Sequence, residues 1–329
     1  MGMLSSSPAA TADGARLLPF RLLARYQRPL GWIGIAVWIS WFVLHPSSPS
    51  PDKLFPLVVA GSMAAGALRD GLTRFTPFVA LFMVYESFRG LADDLDRRVE
   101  MHLLANLDRT LFGGELPTIR LQNWLYDGTP GPFDVAMTIV YLMHFVVPFG
   151  LAFLIWRRAV QHYWPYVMSI LLTCYAGFVT FVLFPAAPPW LALEEGELSG
   201  FSRVGMEVFE RLPFHDVPTL YRGVSPNLVA PMPSLHASFA TLVAVFTFKA
   251  FGRRWGTFSL IYPALIYFST VYLGEHYLID EIAGGLYAYG GYVASKILVD
   301  GIRRRSAARA ERARSGEPPV PERVPEPVG

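Results

Sequence analysis

Two histidines and an aspartate stand at the edges of apolar runs in this chain: His236 in Pro231-Met232-Pro233-Ser234-Leu235-His236, and His276 with Asp280 in Gly274-Glu275-His276-Tyr277-Leu278-Ile279-Asp280. Ionisable residues held where a membrane protein meets water are costly and point to function. On a helix that starts near His276, Asp280 lies four residues further on and shares its face. A carboxylate so placed accepts the Nδ1 proton of the imidazole and leaves Nε2 with a free lone pair, which makes His276 the candidate nucleophile. Ser234, between a proline and an apolar run, reads as an N-cap; no Gly-x-Ser-x-Gly elbow surrounds it to make it a nucleophile. His236 then falls in the first helical turn, where free N–H groups and the helix dipole favour a phosphate. There it can protonate a leaving oxygen and later take the proton of an incoming hydroxyl. Together these residues point to movement of a phosphoryl group.

The elements that must position them are membrane helices. The chain has 329 residues, 53% of them hydrophobic and 16% charged. With a mean hydropathy of +0.35 it is more apolar than a typical soluble domain. The expected fold is an all-α, polytopic membrane bundle. Apolar runs lie at roughly 30–44, 54–68, 75–88, 133–156, 163–184, 237–251, 255–273 and 277–299. They predict about eight spans, with six as the lower alternative because several are shorter than the roughly 20 residues of a full crossing. Residues 1–29 read as a disordered and basic cytoplasmic start, 30–300 as the catalytic membrane domain, and 301–329 as a disordered basic and proline-rich cytoplasmic tail. The first apolar run lacks a convincing cleavage site and is read as a retained helix.

Lysine and arginine positions fix the orientation. With both termini cytoplasmic, the inner side receives most of the 28 basic residues, among them Arg157, Arg158, Lys249, Arg253, Arg254 and the arginines from Arg303 onward. His236 and His276 then share the outer face. A net charge of +2 gives no reason to expect nucleic acid as a partner. The single cysteine, Cys174, lies in an apolar run and reads as a packing residue. Asp93, Asp94 and Asp96 could be imagined around Mg²⁺, but Arg97, Arg98 and Glu100 follow directly, as on a solvated helix face, and no metal or other cofactor is expected. His144, inside the run 133–156, reads first as a buried, hydrogen-bonded histidine and second as a substrate contact. The Gly284-Gly285 and Gly290-Gly291 pairs read as close helix contacts.

Pro-Ser-Leu-His, followed by Val271-Tyr272-Leu273-Gly274-Glu275-His276-Tyr277 and Asp280, resembles two signature motifs of the type 2 phosphatidic acid phosphatase (PAP2) superfamily, in particular its inositol phosphorylceramide synthase-like branch. Tyr85 to Gly90, Asp108 to Gly113 and Phe184 to Pro189 resemble the same branch more weakly. The resemblance implies a metal-free mechanism. It also implies an arginine six residues before the second histidine, where this chain has Thr270, and an Arg-Pro where it has Pro188-Pro189-Trp190. The phosphate charge must then be met elsewhere, and Arg222, Arg89, Arg109 and Arg120 are the candidates.

These readings converge on a multi-pass membrane enzyme that acts on a phospholipid or sphingolipid from the extracytoplasmic side. The favoured reaction is transfer of a polyol phosphoryl group between lipid and alcohol through a phosphohistidine. A lipid phosphate or pyrophosphate phosphatase using water is the first alternative, and a non-catalytic transporter or scaffold the second.

Overall fold

The computed structural model describes residues 9–44, 51–89, 99–211, 229 and 231–315. Every regular element in them is helical: α1 (Ala9–Leu44), α2 (Pro51–Ala64), α3 (Leu68–Arg89), α4 (Leu103–Leu111), α5 (Pro117–Leu125), α6 (Pro132–Arg158), α7 (Tyr163–Leu183), α8 (Pro189–Glu194), α9 (Val204–Arg211), α10 (Leu235–Ser259), α11 (Ile261–Tyr272) and α12 (Leu278–Ser315). Among the described residues, two helical stretches are long and apolar enough to cross a membrane, Val160–Leu183 and Leu235–Ser259. A third follows if α6 counts as one span, its halves Pro132–His144 and Val146–Arg158 meeting at 48°. The all-helical class is met, whereas the described residues show two or three such spans and not the expected eight or six.

Two helix extents differ from expectation. The last helix continues past the boundary expected at 300 to Ser315, and the first begins at Ala9. In both, residues with high helix propensity (Ala, Arg, Leu) extend a long helix that tertiary packing has already nucleated. Conversely the apolar runs 237–251 and 255–273 are divided differently: α10 carries a kink at Gly252, which has φ +83°, and α11 starts only at Ile261.

α12 packs along α7 and α10, while α6 lies against α10 and α11. The main core is aromatic, with Phe75, Phe78, Phe82 and Tyr85 of α3 buried against Phe149 and Trp156 of α6 and Phe239 of α10. The outside is apolar as well, with Trp32, Phe258, Leu286 and Ile297 each about two-thirds exposed, as a lipid-facing surface requires. Helix contacts depend on small residues. A Cβ at Gly291 would stand 2.1 Å from Thr173 Oγ1 and 2.9 Å from the Ser169 carbonyl, whereas one at Gly290 would meet nothing within 4 Å. Gly291→Ala should therefore lower the melting temperature in detergent, by about 1–3 kcal/mol of stability. Gly290→Ala should leave it unchanged or raise it by up to about 1 kcal/mol. Equal shifts in the two variants would remove the close α7–α12 contact from the argument.

Candidate active site

The site is built where two helices begin. At the start of α10 the Ser234 hydroxyl accepts the Ala237 N–H at 3.2 Å, the N-cap that its position predicts. At the start of α12 the Tyr277 N–H donates to Asp280 Oδ2 at 3.0 Å. These two ends are knitted together: the Ser234 N–H donates to the Asp280 carbonyl at 3.0 Å, and the Ser238 hydroxyl to the Gly284 carbonyl at 2.8 Å. Such closeness requires glycine at 284, where a Cβ would stand 2.3 Å from the Ser234 carbonyl. Forty residues apart in sequence, His236 Nδ1 and His276 Nε2 come to 3.1 Å. Behind them His276 Nδ1 lies 3.5 Å from Asp280 Oδ2, longer than a hydrogen bond and short enough for a strong charge interaction.

A third histidine joins them from α6. The ring of His144 lies 3.8 Å from that of His236, centroid to centroid, and Tyr141 stacks on the same ring at 4.7 Å. The bend in α6 has a cause in the sequence. Pro148 has no N–H to donate to the carbonyl four residues back, and its ring clashes there, so the helix breaks its axis just after His144.

The turn between α11 and α12 holds His276 in place. Gly274 adopts φ +79°, open to glycine and strained for other residues, and the N–H groups of Glu275 and His276 both point to the Thr270 carbonyl, at 3.0 and 3.3 Å. Thr270 is buried and donates its hydroxyl to the Ile266 carbonyl at 2.9 Å. Buried Glu275 accepts from Arg203 at 3.0 and 3.4 Å, and that guanidinium also reaches Glu194 at 3.5 Å and stacks 3.9 Å over Trp190. Burial pulls the His276 pKa down, but the Asp280 carboxylate, then Glu281 and Glu275, outweigh it and hold the imidazole above its usual 6.5. The stability this contributes is present below pH 6.5 and is lost as pH rises through the higher folded value.

The remaining sequence candidates are dispersed. Arg120 donates to Glu115 at 3.2 Å and to the Gly113 carbonyl at 2.8 Å, so its fork is engaged in its own loop. Arg109 is directed to Asn106 at 3.4 Å and is exposed. Arg222, the Arg89 side chain, and Asp93, Asp94 and Asp96 lie outside the described residues. Sequence reasoning missed Arg203, which no motif marks. It also missed Glu281, which is fully buried one residue after Asp280 and close to the Ser234 and Thr270 hydroxyls. An acidic pair at the start of an apolar helix was the available signal for Glu281.

Residues 102–294, more than half of the chain, match the family model of the PAP2 superfamily. Among curated proteins, the chain is 27% identical over 230 residues to the phosphoinositol dihydroceramide synthase of Bacteroides thetaiotaomicron, covering 63% of this chain and 71% of that protein. It is 27% identical over 225 residues to the inositol phosphorylceramide synthase catalytic subunit of Saccharomyces cerevisiae, covering 64% and 52%. With the inositol phosphorylceramide synthase of Candida albicans it shares 28% over 204 residues, covering 57% and 40%. The chain thus spans about half the length of these yeast relatives. No solved structure matches it significantly.

The charge arrangement makes a prediction about titration. In ¹⁵N-histidine NMR of the detergent-solubilised protein, His276 should titrate with a midpoint above 6.5, and Asp280→Asn should bring that midpoint down, because burial then acts with less opposition. An unchanged midpoint in Asp280→Asn would mean that Asp280 does not govern the charge of His276.

Proposed function

The chain belongs to the PAP2 superfamily, and from that premise we propose that it is a lipid phosphotransferase, moving a polyol phosphoryl group from a phospholipid to the hydroxyl of a second lipid through a phosphohistidine. The observation that carries this reading is the 3.1 Å approach of His236 Nδ1 to His276 Nε2 with Asp280 behind the second ring. Asp280 keeps the His276 proton on Nδ1, so the Nε2 lone pair faces His236. A phosphodiester enters between the two nitrogens and exchanges their mutual contact for one bond to each.

In the first step His276 Nε2 attacks phosphorus, the bond to the diacylglycerol oxygen breaks, and His236 gives that oxygen its proton. In the second, the acceptor hydroxyl loses its proton to His236 as its oxygen bonds phosphorus, and the nitrogen–phosphorus bond breaks. Both histidines return to their starting state. His144 and Tyr141 hold the His236 ring from the other side, and His144 meets the acceptor. Ser234 acts as a cap, and its helix start offers N–H groups to the phosphate. Arg222, Arg89 and Arg109 remain the proposed sources of positive charge for that phosphate, while the engaged fork of Arg120 argues against it. The relatives named as inositol phosphorylceramide or phosphoinositol dihydroceramide synthases support an inositol phosphate donor and a ceramide-type acceptor.

The proposed topology has eight spans, cytoplasmic termini and an extracytoplasmic site. It is supported by the placement of Lys249, Arg253 and Arg254 at the opposite end of α10 from His236, and of Arg303 at the opposite end of the membrane run of α12 from Asp280.

The test follows phosphorus-labelled phosphatidylinositol through the purified protein in mixed micelles with ceramide and diacylglycerol. Label should pass into a new inositol phospholipid, and His276→Ala, His236→Ala and Asp280→Ala should each reduce turnover by at least about 10³-fold. Label released only as water-soluble phosphate would make water the acceptor, and full turnover in His276→Ala would overturn the mechanism.

A further inference from the structure

The two short helices between α3 and α6 carry neither histidine nor Asp280, yet each sends a buried polar side chain to the turn that holds His276. Asp108 on α4, 1% exposed, accepts the Leu278 N–H at 2.8 Å and the Ile279 N–H at 2.9 Å, one on each carboxylate oxygen. Those N–H groups belong to the first turn of α12 and have no partner within the helix. Asp108 is thus an N-cap supplied from 170 residues away. Gln122 on α5, 4% exposed, donates through Nε2 to the Tyr272 carbonyl at 2.7 Å and the Ser202 carbonyl at 2.8 Å, and accepts the Ser202 N–H through Oε1 at 2.8 Å. Two carbonyls on one side and an N–H on the other admit a single orientation of that amide. Tyr272 closes α11 and Leu278 opens α12, so the two contacts bracket the turn bearing His276. Between them Tyr277 is buried against an apolar seat that includes Leu104, Ala105 and Leu116.

We infer that Asp108 and Gln122 are positioning residues for phosphoryl transfer, setting His276 Nε2 against His236 by fixing both ends of its turn. The inference rests on the phosphohistidine reading above. Neither residue touches the histidines. Both act through the backbone of residues 272–279, whose placement sets where the nucleophile and Asp280 stand. A misplacement of about 1 Å in a reacting group costs about 100-fold in rate. Loss of the bracket should therefore appear in kcat, with substrate binding spared.

The experiment uses the full chain in the labelled-phosphatidylinositol assay, with rates normalised to folded protein. Asp108→Ala should lower kcat about 100-fold with KM within about twofold of wild type. Asp108→Asn, which keeps one acceptor oxygen for two N–H groups, should recover part of the loss and sit about 10-fold below wild type. Gln122→Leu should act in the same direction as Asp108→Ala. Gly291→Ala serves as the stability control, since it loosens α12 far from the turn and should lower the melting temperature without changing kcat. A kcat for Asp108→Ala within about threefold of wild type, a loss no larger than that of Gly291→Ala, or an effect carried by KM would each overturn the inference. Should Asp108→Ala fail to fold, Asp108→Asn decides by the same criteria against its own 10-fold expectation. His276→Ala, assayed alongside, separates the two failures. Activity there sinks the reaction itself, whereas an inert His276→Ala beside a normal Asp108→Ala sinks only the bracket.

Discussion

The hydrogen bond from the Ser234 N–H to the Asp280 carbonyl is the joint on which the rest of the molecule depends. It sets the starts of two helices side by side, and each start carries about half a positive charge from its aligned peptide dipoles. Two such ends repel unless negative charge lies between or beside them. The chain supplies it: Asp108, Glu275, Asp280 and Glu281, all buried, gather at the beginning of α12. On the proposed reading, a phosphate between His236 and His276 would bring further negative charge to the same place, where helix starts favour anions. Close approach at Gly284 is the steric condition for this arrangement, and the histidine contact is its consequence.

Two of these buried acids are met by close donors. Asp108 is held by two backbone N–H groups, and burial still raises it to about 6 because those donors and the nearby Asp280 act in opposite directions. Glu275 is paired with Arg203, whose stacking on Trp190 fixes the guanidinium and ties α8 to the His276 turn. Arg203, 72 residues away in sequence, is thus neutralised by the carboxylate that precedes the second histidine.

What was legible in the sequence followed from local periodicity. Ser234 caps α10 as its position predicts, but α12 begins only at Leu278, so His276 stands in the turn before it and its approach to Asp280 is set by that turn and not by a shared helix face. The all-helical fold followed equally from long apolar runs. Asp108, Gln122 and Arg203 were not legible, because each acts at a distance of 72 to 171 residues through contacts that only tertiary packing creates. His144 lies between these cases. An intramembrane histidine stands out in the sequence, but its approach to His236 depends on the bend that Pro148 imposes on α6. Arg120 shows the opposite failure: a basic residue of the right kind is engaged by Glu115 and Gly113 of its own loop.

The proposed transfer would also require that water be kept from a phosphohistidine until an alcohol arrives. His276 is only 7% exposed, and the Tyr277 beside it is 1% exposed beneath residues of α4 and α8. On the proposed reading the acceptor hydroxyl approaches His236 from the side of α6, where Tyr141 and His144 flank its ring. The elements that hold the His276 turn are therefore also those that cover it. On that reading, selection of the acceptor and alignment of the nucleophile are two effects of one packing arrangement, and a change that loosens α4 against α12 should weaken both.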